Sequence, residues 1–316
     1  MKFATFVHDG KRQSGIVAAD LVHPFEHPVE LLDLVVEGEA SLREAGRRAL
    51  TGSLPAPLAG IRLLPPLEPP SVRDYMTFES HVAGVAKGYG DTVPEEWYAA
   101  PAFYFTNPYA MIGAHDDVPV PPGCRRFDFE LEVAAVIGKA GRDLTPEQAR
   151  EHIIGYTILN DWSARDLQGR EMKVKLGPAK GKDTATTLGP WLVTPDELEP
   201  HRDADGFLDL ALTVEVNRET VGQDRLTGMA WTFEEMAAYA SRGTWIRPGD
   251  VLGSGTCGNG GCLAELWGRT GVLEPPPLTP GDTVTMTVEG IGTISNTVAE
   301  GVRPVPLPPA RRRQRS

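Results

Sequence analysis

The alternation of apolar and polar residues is clearest in residues 127–138, FDFELEVAAVIG. Side chains point to opposite faces in turn along a β-strand, so this stretch predicts a strand with two unlike faces. One face collects five apolar residues and the other three carboxylates: Phe129, Leu131, Val133, Ala135 and Ile137 against Asp128, Glu130 and Glu132. Because stacked carboxylates repel each other, a bound divalent cation is one interpretation. A solvent-facing amphipathic strand is the other, and this pattern alone leaves both open.

The same kind of pattern divides the chain into three parts. Residues 1–65 combine short strand patterns with one helical pattern over Pro28–Leu50, which predicts a small N-terminal α+β domain. The Pro-rich run LLPPLEPPS marks its edge, and residues 66–302 form the main domain. A Pro- and Arg-rich tail, residues 303–316, is interpreted as a frayed end.

The main domain is predicted to be rich in strands. Helical spacing is found in residues 72–90, and N-cap residues predict helix starts at Thr145 and Thr232. The apolar run IGYTILND is typical of a buried strand, and the polar segment SARDLQGREM that follows shortly after it is predicted to be a short helix. Since strands and helices do not alternate regularly, we expect a strand-rich α+β fold instead of a doubly wound sheet.

Composition and charge exclude several classes of function. The 316 residues carry a formal net charge of −12, which disfavours a nucleic-acid partner. No apolar run reaches the length of a membrane span, and the N-terminus lacks a signal-peptide core, so a cytoplasmic protein without a membrane partner is expected. Three cysteines without a C-x-x-C pair suggest neither a disulfide framework nor a zinc site: Cys124, Cys257 and Cys262.

Four acidic residues are candidate ligands for a hard divalent cation: Asp74, Glu130, Glu132 and Asp161. Oxygen-only ligation selects Mg²⁺, Mn²⁺ or Ca²⁺ over zinc. Such a site would have open positions for a chelating dioxo acid. Asp74 and Asp161 each have a simpler interpretation as the N-cap of a following helix.

Further polar residues are candidates for acid–base chemistry or charge stabilisation. Lys182 lies in a Gly-rich loop, and Arg165 and Gln168 share a face of the predicted polar helix. His81 would be an ordinary structural histidine unless a carboxylate orients it. Glu265 lies in the apolar run CLAELW, which predicts a buried strand in which this Glu needs a partner such as histidine.

Well-known catalytic motifs are missing from the sequence. Residues 253–258 match G-x-G-x-x-G, but no βαβ unit surrounds them, so a dinucleotide site is rejected. The same loop, with Thr256, remains a candidate for backbone contact with a substrate. No G-x-S-x-G elbow, H-E-x-x-H motif or P-loop is present.

Six segments together resemble the fumarylacetoacetate hydrolase superfamily: FELEVAAVIG, NDWSARDLQ, LGPAKGKDTATTLGPW, GDVLGSGT, LAELW and PGDTVTMTVEGIGTISN. The resemblance covers about residues 66–302, and it implies a mixed β-sandwich or β-roll catalytic domain that forms homodimers. It also implies a carboxylate-bound Mg²⁺, or Mn²⁺ or Ca²⁺, in an enzyme that hydrolyses a C–C bond of a 2,4-dioxo acid or β-diketone.

The resemblance assigns roles to individual residues. It places the metal on Glu130, Glu132, Asp161 and Asp74, and it makes His81 the water-activating base oriented by Glu265. Residues expected to hold the oxyanion or the substrate are Arg165, Gln168, Lys182, Tyr104 and Thr186. Met172 stands where related enzymes have a tyrosine, which leaves the substrate open. Decarboxylation, tautomerisation or isomerisation, and hydration of an oxo acid are the alternatives.

Overall fold

The structure is a computed structural model that describes residues 1–88 and 90–311. Of the chain, 33% is strand and 28% is helix, and this confirms the predicted strand-rich α+β class. A mixed twelve-stranded sheet forms the centre, and a five-stranded sheet covers part of one of its faces.

The strands, in chain order, are β1 Lys2–His8, β2 Lys11–Ala18, β3 Leu21–Pro24, β4 Ala56–Pro57, β5 Arg62–Leu63, β6 Val72–Tyr75, β7 Phe103–Thr106, β8 Met111–Ile112, β9 Val118–Pro119, β10 Phe127–Asp128, β11 Leu131–Ile137, β12 Gly141–Arg142, β13 Ile153–Asp161, β14 Ser163–Ala164, β15 Thr186–Val193, β16 Ala211–Val216, β17 Glu219–Arg225, β18 Trp245–Ile246, β19 Val251–Gly253, β20 Thr283–Val288 and β21 Gly292–Ala299.

The α-helices are α1 Leu31–Glu37, α2 Glu39–Gly52, α3 Glu79–Gly88, α4 Pro146–Ala149, α5 Arg165–Lys173, α6 Pro195–Leu198, α7 Phe233–Ala240 and α8 Leu263–Thr270. Short 3₁₀ turns are Leu58–Gly60, Glu95–Ala99, Pro108–Ala110, Arg150–His152, Lys180–Lys182, Glu199–His201 and Leu226–Gly228. The expected N-caps at Thr145 and Thr232 are confirmed, because each hydroxyl accepts from the backbone in a capping box.

The large sheet runs in the order β4-β3-β2-β1-β15-β13-β11-β19-β6-β7, with β5 beside β1 and β8 beside β15. Its neighbours are antiparallel except for the pairs β19–β6 and β15–β8. The five-stranded sheet has the order β17-β16-β20-β21-β9. Since β1 pairs with β15, the large sheet continues from the N-terminal part into the rest of the chain. The domain boundary near residue 65 stays a prediction.

Strand β11 is buried on both faces, so the solvent-facing interpretation of its pattern is wrong. Val133 and Ala135 belong to a core shared with the five-stranded sheet and α7. Ala134 and Val136 belong to a second core that contains side chains of α1 and α2. The predicted single strand is also interrupted, because β10 pairs with β14 while β11 pairs with β13 and β19.

Three predicted elements differ from the structure. The helix expected over Pro28–Leu50 is two helices, because Gly38 has a φ of 107°, which is incompatible with a continuous helix. The segment around Asp74 is strand β6, where pairing with β19 and β7 overrides the local helical spacing. Glu265 lies in helix α8, not in a strand, because the apolar pair Leu263 and Trp267 has helical spacing and packs on one side.

The face of strand β6 that carries Arg73 is buried and makes specific contacts. The Arg73 guanidinium lies 3.3 Å from Asp250 Oδ2, and both side chains are buried. The same guanidinium lies over the rings of Phe103 and Phe105 on the neighbouring strand. Arg73 therefore occupies the face of β6 opposite to Asp74.

The C-terminal segment lies outside the two sheets. Residues 301–311 form neither helix nor strand and are exposed, while residues 312–316 of the predicted tail lie outside the described residues. In the part of the chain that the structure describes, helices are too short or too polar to span a bilayer.

Candidate active site

Neighbouring strands of the large sheet bring the acidic residues to one edge. Asp161 ends β13, Glu132 lies near the start of β11, Asp74 lies near the end of β6, and Tyr104 lies opposite Asp74 on β7. Because β13 and β11 are antiparallel and β19 and β6 are parallel, these strand ends meet at the same edge of the sheet. Glu130 stands just before β11, where its backbone N–H donates to Asn160 over 2.9 Å.

Two side chains join the four carboxylates. The Tyr104 hydroxyl donates to Asp74 Oδ2 over 3.1 Å and also contacts Asp161. Lys182 Nζ lies 2.6 Å from Asp161 Oδ2 and contacts Glu130. The 3₁₀ turn Lys180–Lys182 places this lysine, which is 3% exposed. All the predicted oxygen ligands therefore lie together with the predicted lysine and tyrosine.

A close approach at β19 leaves room for two of these carboxylates. A Cβ placed on Gly253 would lie 2.9 Å from Asp74 Oδ1 and 2.9 Å from Glu132 Oε2. Such a distance is shorter than carbon and oxygen tolerate without displacement. Glycine at this position lets the carboxylates of β6 and β11 approach each other across the intervening strand.

Several buried oxygens in this cluster have no hydrogen-bond partner among residues 1–88 and 90–311: Asp74 Oδ1, Glu132 Oε1, Asp161 Oδ1 and Thr186 Oγ1. Leaving a buried carboxylate oxygen unpaired is costly, so native structures rarely do it without a compensating ion or water. The residues present fit a hard divalent cation, because the donor set is all oxygen and its unpaired atoms belong to three different carboxylates.

The pKa values of the carboxylates shift in the directions that burial and the neighbouring charges dictate. Burial raises the pKa of Asp74, and repulsion from Asp161 raises it further. Burial likewise raises the pKa of Glu132, together with repulsion from Asp74. Burial acts in the same direction on Glu130, but Lys182 and Arg165 outweigh it and hold the pKa of Glu130 below its usual range.

Arg165 lies between this cluster and helix α8. Its Nε donates to Asp128 Oδ2 over 2.7 Å, its Nη2 lies 2.7 Å from Glu130 Oε1, and its Nη1 donates to Gln168 over 3.1 Å. Asp128 in turn accepts from the backbone N–H groups of Leu263 and Ala264 over 2.8 and 3.0 Å. Asp128 is therefore not a member of the oxygen cluster but a link between Arg165 and the first turn of α8.

His81 and Glu265 face each other across helices α3 and α8. His81 Nδ1 lies 3.7 Å from Glu265 Oε2 and 3.8 Å from Cys262 Sγ. Glu265 is fully buried, accepts from Asn259 N–H over 3.0 Å and pairs with Arg269. The distance of 3.7 Å exceeds a formed hydrogen bond, but such contacts commonly tighten once a substrate is bound.

His81 also lies close to one residue of the carboxylate cluster. Ligand-type atoms of His81, Glu130 and Cys262 all lie within 4.8 Å of one another. The predicted dyad and the predicted metal ligands therefore belong to one continuous site, with Glu130 in both parts.

The model of the fumarylacetoacetate (FAA) hydrolase C-terminal family matches residues 71–299. This chain belongs to the fumarylacetoacetate hydrolase superfamily. The oxaloacetate tautomerase FAHD2A, mitochondrial, of Homo sapiens is 32% identical over 277 residues, which is 86% of this chain and 80% of that protein. The superfamily thus includes tautomerases as well as hydrolases, and the resemblance inferred from the sequence is confirmed.

Solved structures of the superfamily share the fold. The fumarylacetoacetate hydrolase of Exiguobacterium antarcticum has a TM-score of 0.73 and 27% identity, covering 95% of this chain and 99% of that one. The maleylpyruvate hydrolase of Sphingobium sp. SYK-6, in complex with manganese(II) and pyruvate, has a TM-score of 0.71. It is 22% identical and covers 96% of this chain and 100% of that one, a likeness that shows the fold alone.

Three residues with expected substrate roles lie in different surroundings. Thr256 is buried in the loop between β19 and α8, and Thr186 is buried at the start of β15 beside Asp161. Met172, in contrast, is 52% exposed on α5. Their contacts with a substrate of this superfamily member stay predictions.

Sequence reasoning missed three contributors to the site. Asp128 is not among the predicted ligands, and the structure agrees. Its link between Arg165 and α8 was not predicted, because it joins residues far apart in the chain. Cys262 had no motif to mark it, yet its Sγ accepts from Glu265 N–H over 3.4 Å as the N-cap of α8. Arg269 follows Glu265 by four residues, a spacing that would have indicated the pair had α8 been recognised as a helix.

Proposed function

We propose that this protein is a metal-dependent hydrolase that cleaves a C–C bond in a 2,4-dioxo acid or a similar β-diketone. The observation that carries the proposal is the buried His81–Glu265 pair, whose ring nitrogen and carboxylate oxygen lie 3.7 Å apart beside the carboxylate cluster. A base oriented by a carboxylate is what water activation requires, whereas enolisation of an oxo acid does not need water.

In the proposed reaction, His81 removes a proton from water. With Nδ1 turned toward Glu265, Nε2 is the ring nitrogen that accepts the proton, and the buried carboxylate stabilises the resulting imidazolium. The hydroxide then adds to a carbonyl carbon of the substrate. The C–C bond breaks, its electron pair leaves with the other fragment as an enolate, and the imidazolium proton completes the product. An acylpyruvate would give a carboxylic acid and pyruvate.

Cationic and amide groups surround the position where negative charge develops. Lys182 and Arg165 both contact Glu130, and Gln168 is held by Arg165. Donors fixed before the reaction stabilise an oxyanion without reorganising, so these three residues are assigned to that role. A divalent cation held by Asp74, Glu130, Glu132 and Asp161 would supply Lewis-acid stabilisation of the substrate oxygens. Mg²⁺, Mn²⁺ and Ca²⁺ all suit the donor set, and Mn²⁺ is the ion named for the maleylpyruvate hydrolase.

Tautomerisation is the second candidate, because the human relative is named an oxaloacetate tautomerase. That reaction moves a proton between carbon and oxygen and uses the same cluster without water. Decarboxylation of an oxo acid would also need only the cluster and a proton donor, whereas hydration, like hydrolysis, would need a water molecule.

A substrate panel tests the proposal. Acylpyruvates, fumarylacetoacetate and oxaloacetate are assayed with Mg²⁺, with Mn²⁺ and with EDTA, and products are identified by chromatography. Release of pyruvate from an acylpyruvate, abolished by EDTA, is the expected result. Turnover confined to keto–enol exchange of oxaloacetate would replace hydrolysis by tautomerisation, and loss of CO₂ would indicate a decarboxylase.

We further propose that the enzyme acts as a homodimer on a small oxo acid. The superfamily resemblance supports this proposal, and exposed apolar side chains offer contact area, among them Phe105, Tyr109 and Leu176. Light scattering coupled to size-exclusion chromatography measures the mass directly. A monomeric mass near 34 kDa at micromolar concentration would contradict it.

A further inference from the structure

One group of side chains in the site does not have the all-oxygen character of the carboxylate cluster. His81 from α3, Glu130 before β11 and Cys262 at the start of α8 are only 8%, 5% and 0% exposed. Their ligand atoms lie within 4.8 Å of one another, and His81 Nδ1 is 3.8 Å from Cys262 Sγ. We refer to these three residues as the mixed-donor cluster.

The donor atoms determine which ion this cluster would accept. Nitrogen, sulfur and carboxylate oxygen together suit zinc, whereas a thiolate is a poor ligand for Mg²⁺ or Ca²⁺. Zinc binds imidazole nitrogen at about 2.0–2.1 Å and thiolate sulfur at about 2.3 Å, so two such ligands of a tetrahedral ion lie roughly 3.6 Å apart. The observed separation of 3.8 Å between His81 Nδ1 and Cys262 Sγ needs little adjustment.

The charge of the surroundings permits a second cation. Five buried carboxylates face two buried cations: Asp74, Asp128, Glu130, Glu132 and Asp161 against Arg165 and Lys182. When all are ionised, three negative charges are in excess. A divalent cation on the carboxylate cluster leaves one, and a second divalent cation that binds with loss of the Cys262 proton leaves the region neutral.

We propose that His81, Glu130 and Cys262 form a second cation site that binds Zn²⁺ and chemically similar ions beside the all-oxygen site. The ion binds His81 Nδ1 in place of its proton, which breaks the contact with Glu265 and leaves the remaining ring proton on Nε2, and it shares Glu130 with the carboxylate cluster. Zn²⁺ bound there therefore inhibits hydrolysis, a consequence that rests on the proposed function, since it assumes that His81 is the base. The existence of the site does not depend on that assumption.

A conservative variant separates metal binding from helix capping. Cys262 Sγ accepts from Glu265 N–H, and a serine hydroxyl does the same at an N-cap, so Cys262→Ser keeps the cap of α8 and removes the thiolate. Cys124→Ser is the matched control, because Cys124 lies on a loop outside the mixed-donor cluster. His81→Gln supplies an independent test from another element.

Cobalt(II) is the probe, since thiolate ligation gives it a charge-transfer band in the near ultraviolet that oxygen ligands do not give. The full-length protein is titrated with Co²⁺ and then with Zn²⁺. We expect a thiolate band in the wild type and in Cys124→Ser, its displacement by Zn²⁺, and its loss in Cys262→Ser. Absence of the band in the wild type, or its persistence in Cys262→Ser, would overturn the proposal.

Zn²⁺ affinity gives a second readout that needs no turnover. Loss of a residue that only supports a metal ligand costs about 10–100-fold in metal affinity. Removing the thiolate or the imidazole itself is therefore expected to weaken Zn²⁺ binding by at least about 100-fold. If the protein proves to be a tautomerase, the cobalt spectrum is unaffected and only the inhibition consequence fails. Equal Zn²⁺ affinity in the wild type, Cys262→Ser and His81→Gln would reject the site while leaving hydrolysis untouched.

Discussion

The two halves of the site are built from different kinds of structure. Asp74, Glu132 and Asp161 are carried by three strands of one sheet, so strand register sets their spacing. His81 and Glu265 are carried by helices α3 and α8, each of which follows a loop. Glu130 lies between the halves and contacts Arg165 and Lys182.

The halves also differ in how their polar atoms are satisfied. The carboxylate half contains oxygens without partners among the residues that the structure describes, and these atoms are available to bind an ion or water. In the histidine half, Glu265 is supported by Asn259 and Arg269 without an ion. We infer that the first half is built to bind and the second to move a proton, and variants can test whether the halves are separable.

The largest effect is expected from Glu132→Gln. The amide cannot neutralise a divalent cation, and Glu132 Oε1 is one of the unpaired oxygens, so ion binding and turnover should both fall below detection. Calorimetric titration with Mn²⁺ measures binding. Glu219→Gln, an exposed change on β17, is the control and should bind normally. Unaltered Mn²⁺ affinity in Glu132→Gln would refute the assignment of the carboxylate half.

His81→Ala should affect the other half alone. Removing a general base typically costs about 10²–10⁴-fold, so we expect kcat to drop by that factor while Mn²⁺ affinity stays the same. His115→Ala, an exposed histidine, serves as the control. Hydrolysis that survives in His81→Ala would show the dyad to be wrong, and a parallel loss of Mn²⁺ binding would show that the halves are not separable.

Asp128→Asn tests the link between the halves. The amide leaves Arg165 without its anionic partner and weakens the hold on the first turn of α8. Misplacement of catalytic groups should lower kcat by about 10–100-fold at unchanged Mn²⁺ affinity. Stability should fall by roughly 1–3 kcal/mol in denaturant unfolding. Asp117→Asn, an exposed change, should alter neither quantity; wild-type kcat in Asp128→Asn would remove its positioning role.

The smallest effect is expected in the difference between the melting temperatures of the metal-free and the Mn²⁺-bound protein, which should depend on pH. Raised pKa values of Asp74, Glu132 and Asp161 mean that the folded metal-free protein binds more protons than the unfolded chain, so their contribution to stability is lost as pH rises. The lowered pKa of Glu130 has the opposite effect. Its contribution to folding stability is present at pH values above the ordinary pKa of a glutamate, and it is lost in acid.

A bound cation relieves the repulsion among the carboxylates, so the melting temperatures with and without Mn²⁺ should diverge as pH rises from about 5 to about 8. At a hundredfold excess over Kd, binding adds about 2.7 kcal/mol, or roughly 4 °C for a chain of 316 residues. Differential scanning fluorimetry measures the gap. A gap that narrows toward alkaline pH would contradict the assigned pKa directions.

Part of the strand half was predictable from sequence because some of its signals are local. Alternation around Glu130 and Glu132 and the strand end at Asp161 can be read without tertiary contacts, although the interruption before β11 cannot. The helix half was harder. The run CLAELW is too short to show a helical period, so Glu265 was assigned to the wrong element while its pairing with His81 was anticipated.

The remaining features depend on contacts between distant segments. Asp128 and Leu263 are 135 residues apart, and their hydrogen bond exists only because β10 and α8 pack together. Cys262 and His81 are 181 residues apart, and no pattern of polarity connects them. Helical spacing around Asp74 was overridden by strand pairing on both sides of β6, which is also a tertiary effect.

The buried pair of Arg73 and Asp250 has a consequence for how β6 can insert between β19 and β7. A shift of one residue would exchange the two faces of the strand. Arg73 would then point among the carboxylates, and Asp74 would face Asp250, so the misaligned sheet would bury like charges together and fill the ion's place with a guanidinium. The Arg73–Asp250 ion pair therefore disfavours a one-residue shift of β6, and it keeps Asp74 on the face that carries the other carboxylates.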